Sequence, residues 1–503
     1  MLTVAGILGL GTVIATTEGP SALEFSFVIS EESARLIIES GTFVQSQQEQ
    51  ELIIGVVSSL RRANRYYSSA ETIHGSVLGA SVPSIFPADR WDYLIASVRV
   101  LGVFRGKLLH RPTRPVLPGS VIELADGKIL TKFLNLMPDG IDLGKIKQTD
   151  INALIDLDRL LQKHLAILSI SGGGKSYACS IIIEELLLRK PSQGRPAVIL
   201  LDVHGEYRHF NTLNKHYKFR DTKVIRIMAN KISMAFGHLT SSDLRKFFPT
   251  MSSAQSRELD RILYKLKRIG DPFSIDTVIN DVTKQEMNLL VKEALLGWLN
   301  ILKGLRSFGN EETPDLEKTI KSGTLIIFDF SDLTNLWVKQ ILVYYILNRL
   351  FDLRRRRLIP PLVSFLEEAH QFAPEKESSP AKSIIHTIAR EGRKFLCSLV
   401  LISQRPVNLS TTALSQCNSH LILRILNPND LAWISKSSEG INHETLQMIT
   451  TLGVGEGILV GEAVNYPVFI QIRKKLLEAE FDGTSLTQES KKFENIQLLN
   501  AAE

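Results

Sequence analysis

Residues 169–176 read SISGGGKS and end in the Gly-Lys-Ser that closes a phosphate-binding loop, G-x-x-x-x-G-K-[ST]. They open on Ser169, where that pattern has glycine. The chemistry on offer is capture of a polyphosphate. Successive backbone N–H groups wrap the β-phosphate, helped by the positive end of the helix that follows. Gly172, Gly173 and Gly174 keep side chains clear of that cradle and permit positive φ. Lys175 supplies a point charge to the β- and γ-phosphates, and Ser176 offers a hydroxyl to Mg²⁺. Ser171 and Tyr177 flank the run and complete the set assigned to the nucleotide. The first position needs a small residue in a turn, so Ser169 is compatible with a working site.

Hydrolysis also needs a carboxylate at the end of a neighbouring apolar strand. Two stretches compete. TLIIFDFSD ends in Asp329, but Phe330 follows it and leaves no base for water, so Asp329 is read as structural. LVSFLEEAH ends in Glu367-Glu368, where the first carboxylate can hold Mg²⁺ through water and the second can polarise the attacking water. His370 then orients Glu368. Asp202, at the end of AVILLD, is placed near the nucleotide, while His204 and Glu206 of DVHGEY are read as structural.

A third cluster lies in IIHTIAREGRKFLCSLVLISQRP. Gln404 follows the strand, where a polar side chain can touch the γ-phosphate and report its loss. Arg390, Arg393 and Lys394 precede the strand and are placed to project toward a neighbouring subunit; either Arg390 or Arg393 can be the residue that acts there. The run Arg354–Arg357 ends a helix before a proline break, where cations complement the helix dipole. It is read as structural rather than as a DNA contact.

These residues need elements to hold them. HLAILSI, the glycine loop, SYACSIIIEELLLRK and AVILLDVHGEY form a strand–loop–helix–strand unit, which implies a parallel sheet with helices on its faces. Residues 1–150 instead carry short β-type runs punctuated by Gly and Pro, and predict a small β-barrel or sandwich. The α/β core occupies 151–236 and 321–475, and amphipathic helices at 237–320 interrupt it. Residues 476–503 are polar and read as an extended or partner-binding arm.

The 503 residues suffice for two to four domains, and 44% apolar with 22% charged residues supports a sizeable core. A net charge of +6 permits a nucleic-acid partner without demanding one. Three widely spaced cysteines give no disulfide framework and no zinc site, which suits a reducing cytoplasm. The apolar N-terminus lacks a basic lead and reads as a strand pair, and LWVKQILVYYILNRLF is too short and too polar to span a bilayer.

Taken together, KHLAILSISGGGKSY, LLDVHGEY, FLEEAHQFAP, IAREGRKF, LISQRP and GEGILVGEAVNYPVFIQIR resemble the HerA-type hexameric DNA translocases of archaea, relatives of the FtsK motor. The resemblance runs over nearly the whole chain. Ser169 and Gly173 depart from it, since many relatives have Gly and Ser there. It implies an N-terminal HAS-barrel and a RecA-like P-loop ATPase core, assembled as a hexameric ring with DNA in its pore. It further implies Mg²⁺-ATP hydrolysis, and DNA end resection with a NurA-type nuclease beside Mre11–Rad50. By motif match, Lys175 and Ser176 contact phosphate and Mg²⁺, Glu368 is the base, Arg393 an arginine finger acting in trans and Gln404 the sensor. Lys163 falls where relatives carry a basic residue that reaches a neighbour's nucleotide. The competing function is a nucleotide-gated assembly protein that binds ATP without moving DNA; DNA-stimulated turnover separates the two. A membrane-anchored conjugation ATPase would share the motor but needs transmembrane helices that are not readable here.

Overall fold

The computed structural model describes residues 9–15, 19–30, 38–64, 92–106, 108–219, 222–437, 441, 443–477, 487, 490, 491 and 494. Most of the expected arm at 476–503, the start of the expected N-terminal strand pair and residues 31–37 lie outside the described residues. The chain forms two compact units. One comprises Met1–Leu160, Ser419–Ile422 and Ser438–Arg473, the other Leu161–Asn418, Leu423–Ser437 and Lys474–Glu503.

The first unit begins with β1 (Gly11–Ile14), β2 (Glu24–Ile29), β3 (Phe43–Gln48), β4 (Glu51–Asn64), β5 (Asp92–Arg105), β6 (Leu108–His110) and β7 (Val121–Leu124). The order β2-β1-β7-β3-β4-β5 closes when β5 pairs back onto β2, giving a six-stranded antiparallel barrel with β6 appended to β5. Period-2 alternation turns Phe25, Phe27 and Ile29 of β2 inward, with Val13, Ile53, Val57, Val98, Val103 and Ile122. Register shifts at Ile54/Gly55 and Val57/Ser59 let the two long strands β4 and β5 curve around that core. A hairpin follows, β8 (Ile141–Ile146) with β9 (Asn152–Ile155).

The second unit carries β10 (Leu165–Leu168), β11 (Ala197–Asp202), β12 (Lys223–Met228), β15 (Thr324–Asp329), β16 (Leu362–Leu366) and β17 (Cys397–Ser403). They run parallel in the order β12-β15-β11-β16-β17-β10. Every residue of β10, β11, β15, β16 and β17 is buried, which is why these segments read as continuous apolar runs instead of alternating. A two-residue pair, β13 (Met234–Ala235) with β14 (Phe308–Gly309), brackets the helical insertion. Its helices are Ser241–Phe247, Ser253–Ile269, Ile275–Lys284 and Leu289–Gly304, opened by side-chain caps from Thr240, Ser252, Ser274 and Asn288. Back in the first unit, β18 (Ser419–Ile422), β19 (Glu456–Gly461) and β20 (Val468–Ile472) extend the β8–β9 hairpin into an antiparallel meander, β18-β19-β20-β8-β9.

The helix Leu336–Arg355 shows why its sequence looks mixed. It is buried along most of its length, and its polar residues are used inside the protein. Lys339 Nζ donates to Val203 O (3.2 Å), Gln340 Nε2 to Gln371 O (2.7 Å) and Arg349 Nε to Glu312 Oε1 (3.0 Å). Among the described residues no helix is long and apolar enough to cross a membrane. At its end, Arg355 and Arg356 pair with Asp352 and Arg354 Nη1 donates to Ile359 O, so three of the four arginines serve the helix terminus. Cys179, Cys397 and Cys417 are all free and buried, and burial pushes the Cys397 thiol up to about 12 and the other two higher.

The segment after β20 returns to the helix Lys175–Leu188. Glu184, wholly buried on that helix, accepts from the N–H groups of Leu476 and Leu477 at 3.0 Å each. Tyr177 Oη accepts from Lys475 N–H (2.9 Å), and the Lys475 ammonium lies 4.7 Å from the centre of the Tyr177 ring. Removing residues 474–503 takes these two donors from a buried carboxylate, which costs about 1–3 kcal/mol. The truncated chain should therefore melt several degrees below the full chain, and Glu184→Gln should recover part of the loss, as read by thermal unfolding. Identical melting of the truncated and full chains would contradict this account.

Candidate active site

The phosphate loop leaves the carboxyl end of β10, where Leu168 is in register with Ser403 of β17. Ser169 N–H donates to Ser403 O (3.2 Å) and Ile170 N–H to Arg424 O (3.1 Å), so the loop starts from a fixed platform. Gly172 and Gly174 have φ of +72° and +92°, which only glycine adopts without strain. Gly173 is needed for a different reason. A Cβ there would lie 3.1 Å from Ser169 Oγ, 3.2 Å from Ser169 Cβ and 3.1 Å from Ile170 O. The Ser169 side chain, buried and donating to Ile170 O (2.8 Å), thus occupies the space that a side chain at 173 would need. The helix Lys175–Leu188 begins with no side chain capping its first turn, so its N–H groups face the loop as an anion site.

The carboxylates come from β16, the neighbour of both β11 and β17. Glu368 adopts φ +47° just past the strand, which turns its buried carboxylate back toward the loop. Its Oε1 stands 3.2 Å from Lys175 Nζ. His370 Nδ1 lies 3.3 Å from Glu368 Oε2, without hydrogen-bonding geometry, and 3.1 Å from Ser403 Oγ. Burial lowers the His370 pKa, so the ring is neutral there. Glu367 points the other way and is wholly buried; its Oε2 accepts from Val203 N–H (3.1 Å), and its Oε1 has no partner. Burial, then the charges of Asp202 and Glu206, hold its carboxyl well above the usual range. A buried acceptor lacking a donor suits a cation or its waters. Among the described residues no three His, Cys, Asp or Glu side chains form a metal cage by themselves.

Asp202 has a structural task. Its carboxylate accepts from the N–H groups of Gly205 (2.7 Å), Glu206 (3.2 Å) and Tyr207 (3.3 Å), which folds the turn after β11. Asp329 is also structural, paired with Arg226 and accepting from Ser331 N–H (2.9 Å). Sequence reasoning missed Glu206. The Asp202-centred turn swings it back so that its carboxylate accepts the Ser176 hydroxyl hydrogen bond. The signal was present in DVHGEY: an Asp that caps its own turn over a glycine aims the next side chain at the preceding loop.

The structure brings Lys175, Ser176, Glu367, Glu368 and Gln404 to one edge of the parallel sheet, with Ser171 and Tyr177 flanking. Lys163, Arg390, Arg393 and Lys394 lie at the other edge. Arg390 and Arg393 are exposed on the last turns of the helix Lys382–Phe395, before β17 begins. β17 is seven residues long, so its two ends stand about 20 Å apart. His164 anchors that arginine helix. Its Nδ1 accepts from Leu399 N–H (2.9 Å), which leaves Nε2–H to donate to Ala389 O (3.0 Å). Burial lowers its pKa to about 4 and keeps the ring neutral. Gly392 belongs to the same contact, since a Cβ there would sit 2.3 Å from Cys397 O.

A parallel sheet, a phosphate loop at its carboxyl edge and a buried lysine–glutamate pair define a RecA-like P-loop ATPase with an N-terminal β-barrel and a helical insertion. VirB4 of Thermoanaerobacter pseudethanolicus shares this fold at a TM-score of 0.54 and 19% identity, covering 68% of this chain and 98% of that one. Residues 141–350 match the family described as the central domain of the HerA helicase. The chain is similar to the DNA double-strand break repair helicase HerA of Pyrococcus furiosus, 26% identical over 86% of this chain and 88% of that one. It is similar also to the HerA of Sulfurisphaera tokodaii, 23% identical over 95% and 97% of the two chains. These matches support a HerA-type protein.

The shared space at 169 and 173 is testable. Gly173→Ser alone should weaken binding of a fluorescent ATP analogue by about tenfold, the effect of roughly 1.4 kcal/mol of overpacking. Adding Ser169→Gly should bring affinity back to within about twofold of the native loop. A double variant as weak as the single one would show that the positions are independent.

Proposed function

We propose that this chain is an ATP-driven DNA translocase or helicase that works as a hexameric ring in double-strand break end resection. The observation that carries the reading is the buried Lys175–Glu368 pair at the mouth of the phosphate loop. Without nucleotide, the two charges neutralise each other. A bound triphosphate takes over the Lys175 ammonium, and Glu368 is then free to accept a proton from the attacking water. Ser176 and, through water, Glu367 would hold Mg²⁺, which would supply charge neutralisation to the bound triphosphate. Gln404, one residue beyond β17, contacts the γ-phosphate and registers its departure.

The finger is the part that demands a ring. Arg393 lies at the sheet edge away from its own phosphate loop, is exposed, and makes no ion pair among the described residues, which supports action on the neighbour's nucleotide. Arg390 is the alternative on the same helix, and Lys163 is a second basic group at that edge. DNA is held in the pore through its phosphates and without sequence preference. The relatives' names place them in double-strand break repair; a NurA-type nuclease as partner and a functional link to Mre11–Rad50 are part of the proposal.

Glu368→Gln should retain ATP binding, abolish hydrolysis and leave a nucleotide-loaded ring trapped on DNA, measured by filter binding alongside phosphate release. Loss of ATP binding in equal measure would remove Glu368 from the chemistry. ATP turnover of the native chain should rise when DNA is added; turnover indifferent to DNA would favour an assembly ATPase. Arg393→Ala and Lys175→Ala subunits should each be inactive alone and regain partial turnover when mixed, because some interfaces then pair an intact loop with an intact finger. A monomer that hydrolyses ATP at full rate would end the trans role.

A further inference from the structure

The turn after β11 brings one more carboxylate to the metal side of the phosphate loop. Glu206 holds the Ser176 hydroxyl, the group expected to face Mg²⁺. This arrangement is built from the backbone up. Asp202 accepts from three successive N–H groups of the turn, Gly205 to Tyr207, and Gly205 reverses the chain at φ +76°. The same turn supplies the Val203 N–H that fixes Glu367 Oε2. One loop therefore sets Glu206 against Ser176 and fixes Glu367 beside it through Val203.

An independent observation shows what this corner lacks. Glu367 Oε1 is wholly buried and has no hydrogen-bond donor. Glu206 accepts the Ser176 O–H, and that donation leaves the lone pairs of the Ser176 oxygen to face a cation. Mg²⁺ sheds its waters reluctantly and is commonly held through one or two carboxylates plus phosphate oxygens. Such retained waters are donors of the kind that Glu367 Oε1 lacks.

We propose that Glu206 is a positioning residue for the nucleotide-bound Mg²⁺: by accepting the Ser176 O–H it turns the hydroxyl lone pairs toward the cation, and its second oxygen accepts from the cation's waters. The inference rests on reading the loop as an ATP site. Glu206 thus keeps Ser176 oriented both in the free protein and with nucleotide and cation present.

The test uses the full chain loaded with a non-hydrolysable ATP analogue and titrated with Mn²⁺, free ion being read by electron paramagnetic resonance. Glu206→Gln keeps the shape of the side chain and removes its charge. It should raise the Mn²⁺ Kd by about tenfold or more, the usual effect of losing an outer-shell partner, while analogue affinity in EDTA stays unchanged. Glu206→Asp should fall between the two. An unmoved or tightened Mn²⁺ Kd, with the analogue still bound, overturns the role of Glu206 alone. Native protein that takes up no analogue overturns the ATP reading and this inference with it.

Discussion

Two opposite charges held out of water govern the second unit. Lys175 and Glu368 face each other at 3.2 Å where a lone buried charge of either kind would be costly. Their encounter requires a loop from β10 and a strand end from β16 to meet, with β17 between them in the sheet. Parallel order supplies this automatically, because every carboxyl end lies on one edge. The helix Leu336–Arg355, the Asp202 turn and the neutral His370 then serve to keep that edge dry and in place.

Much of this was legible in the chain. The strand–loop–helix–strand run and the Glu367-Glu368 pair announce themselves, because a fully buried parallel strand leaves an unbroken apolar word with its chemistry at the last letter. Ser169 departs from the loop pattern yet was read as compatible with a working site, and the structure adds a steric reason, since it fills the space left by Gly173. Asp329 and three arginines of the Arg354–Arg357 run, read as structural, each have a local electrostatic use.

What stayed hidden depends on where a backbone turns. Glu206 was set aside as structural, and only the three N–H groups converging on Asp202 direct it at Ser176. His164 drew no notice either. A lone histidine before a strand has no signature, yet its two nitrogens bridge β17 and the arginine helix. Glu184 is similar: within an apolar helical word it resembles a surface charge, while its partners lie almost three hundred positions later.

The three thiols carry a practical consequence. Each is buried, and burial holds all of them as unreactive neutral groups at ordinary pH. The native chain is thus chemically silent toward maleimide dyes and mild oxidants while it stays folded. A single cysteine introduced on an exposed surface will take a fluorophore by itself, with no need to engineer a cysteine-free background. Labelled chains can then be followed by energy transfer, and the wild-type core reports on its own unfolding the moment its hidden sulfurs begin to react.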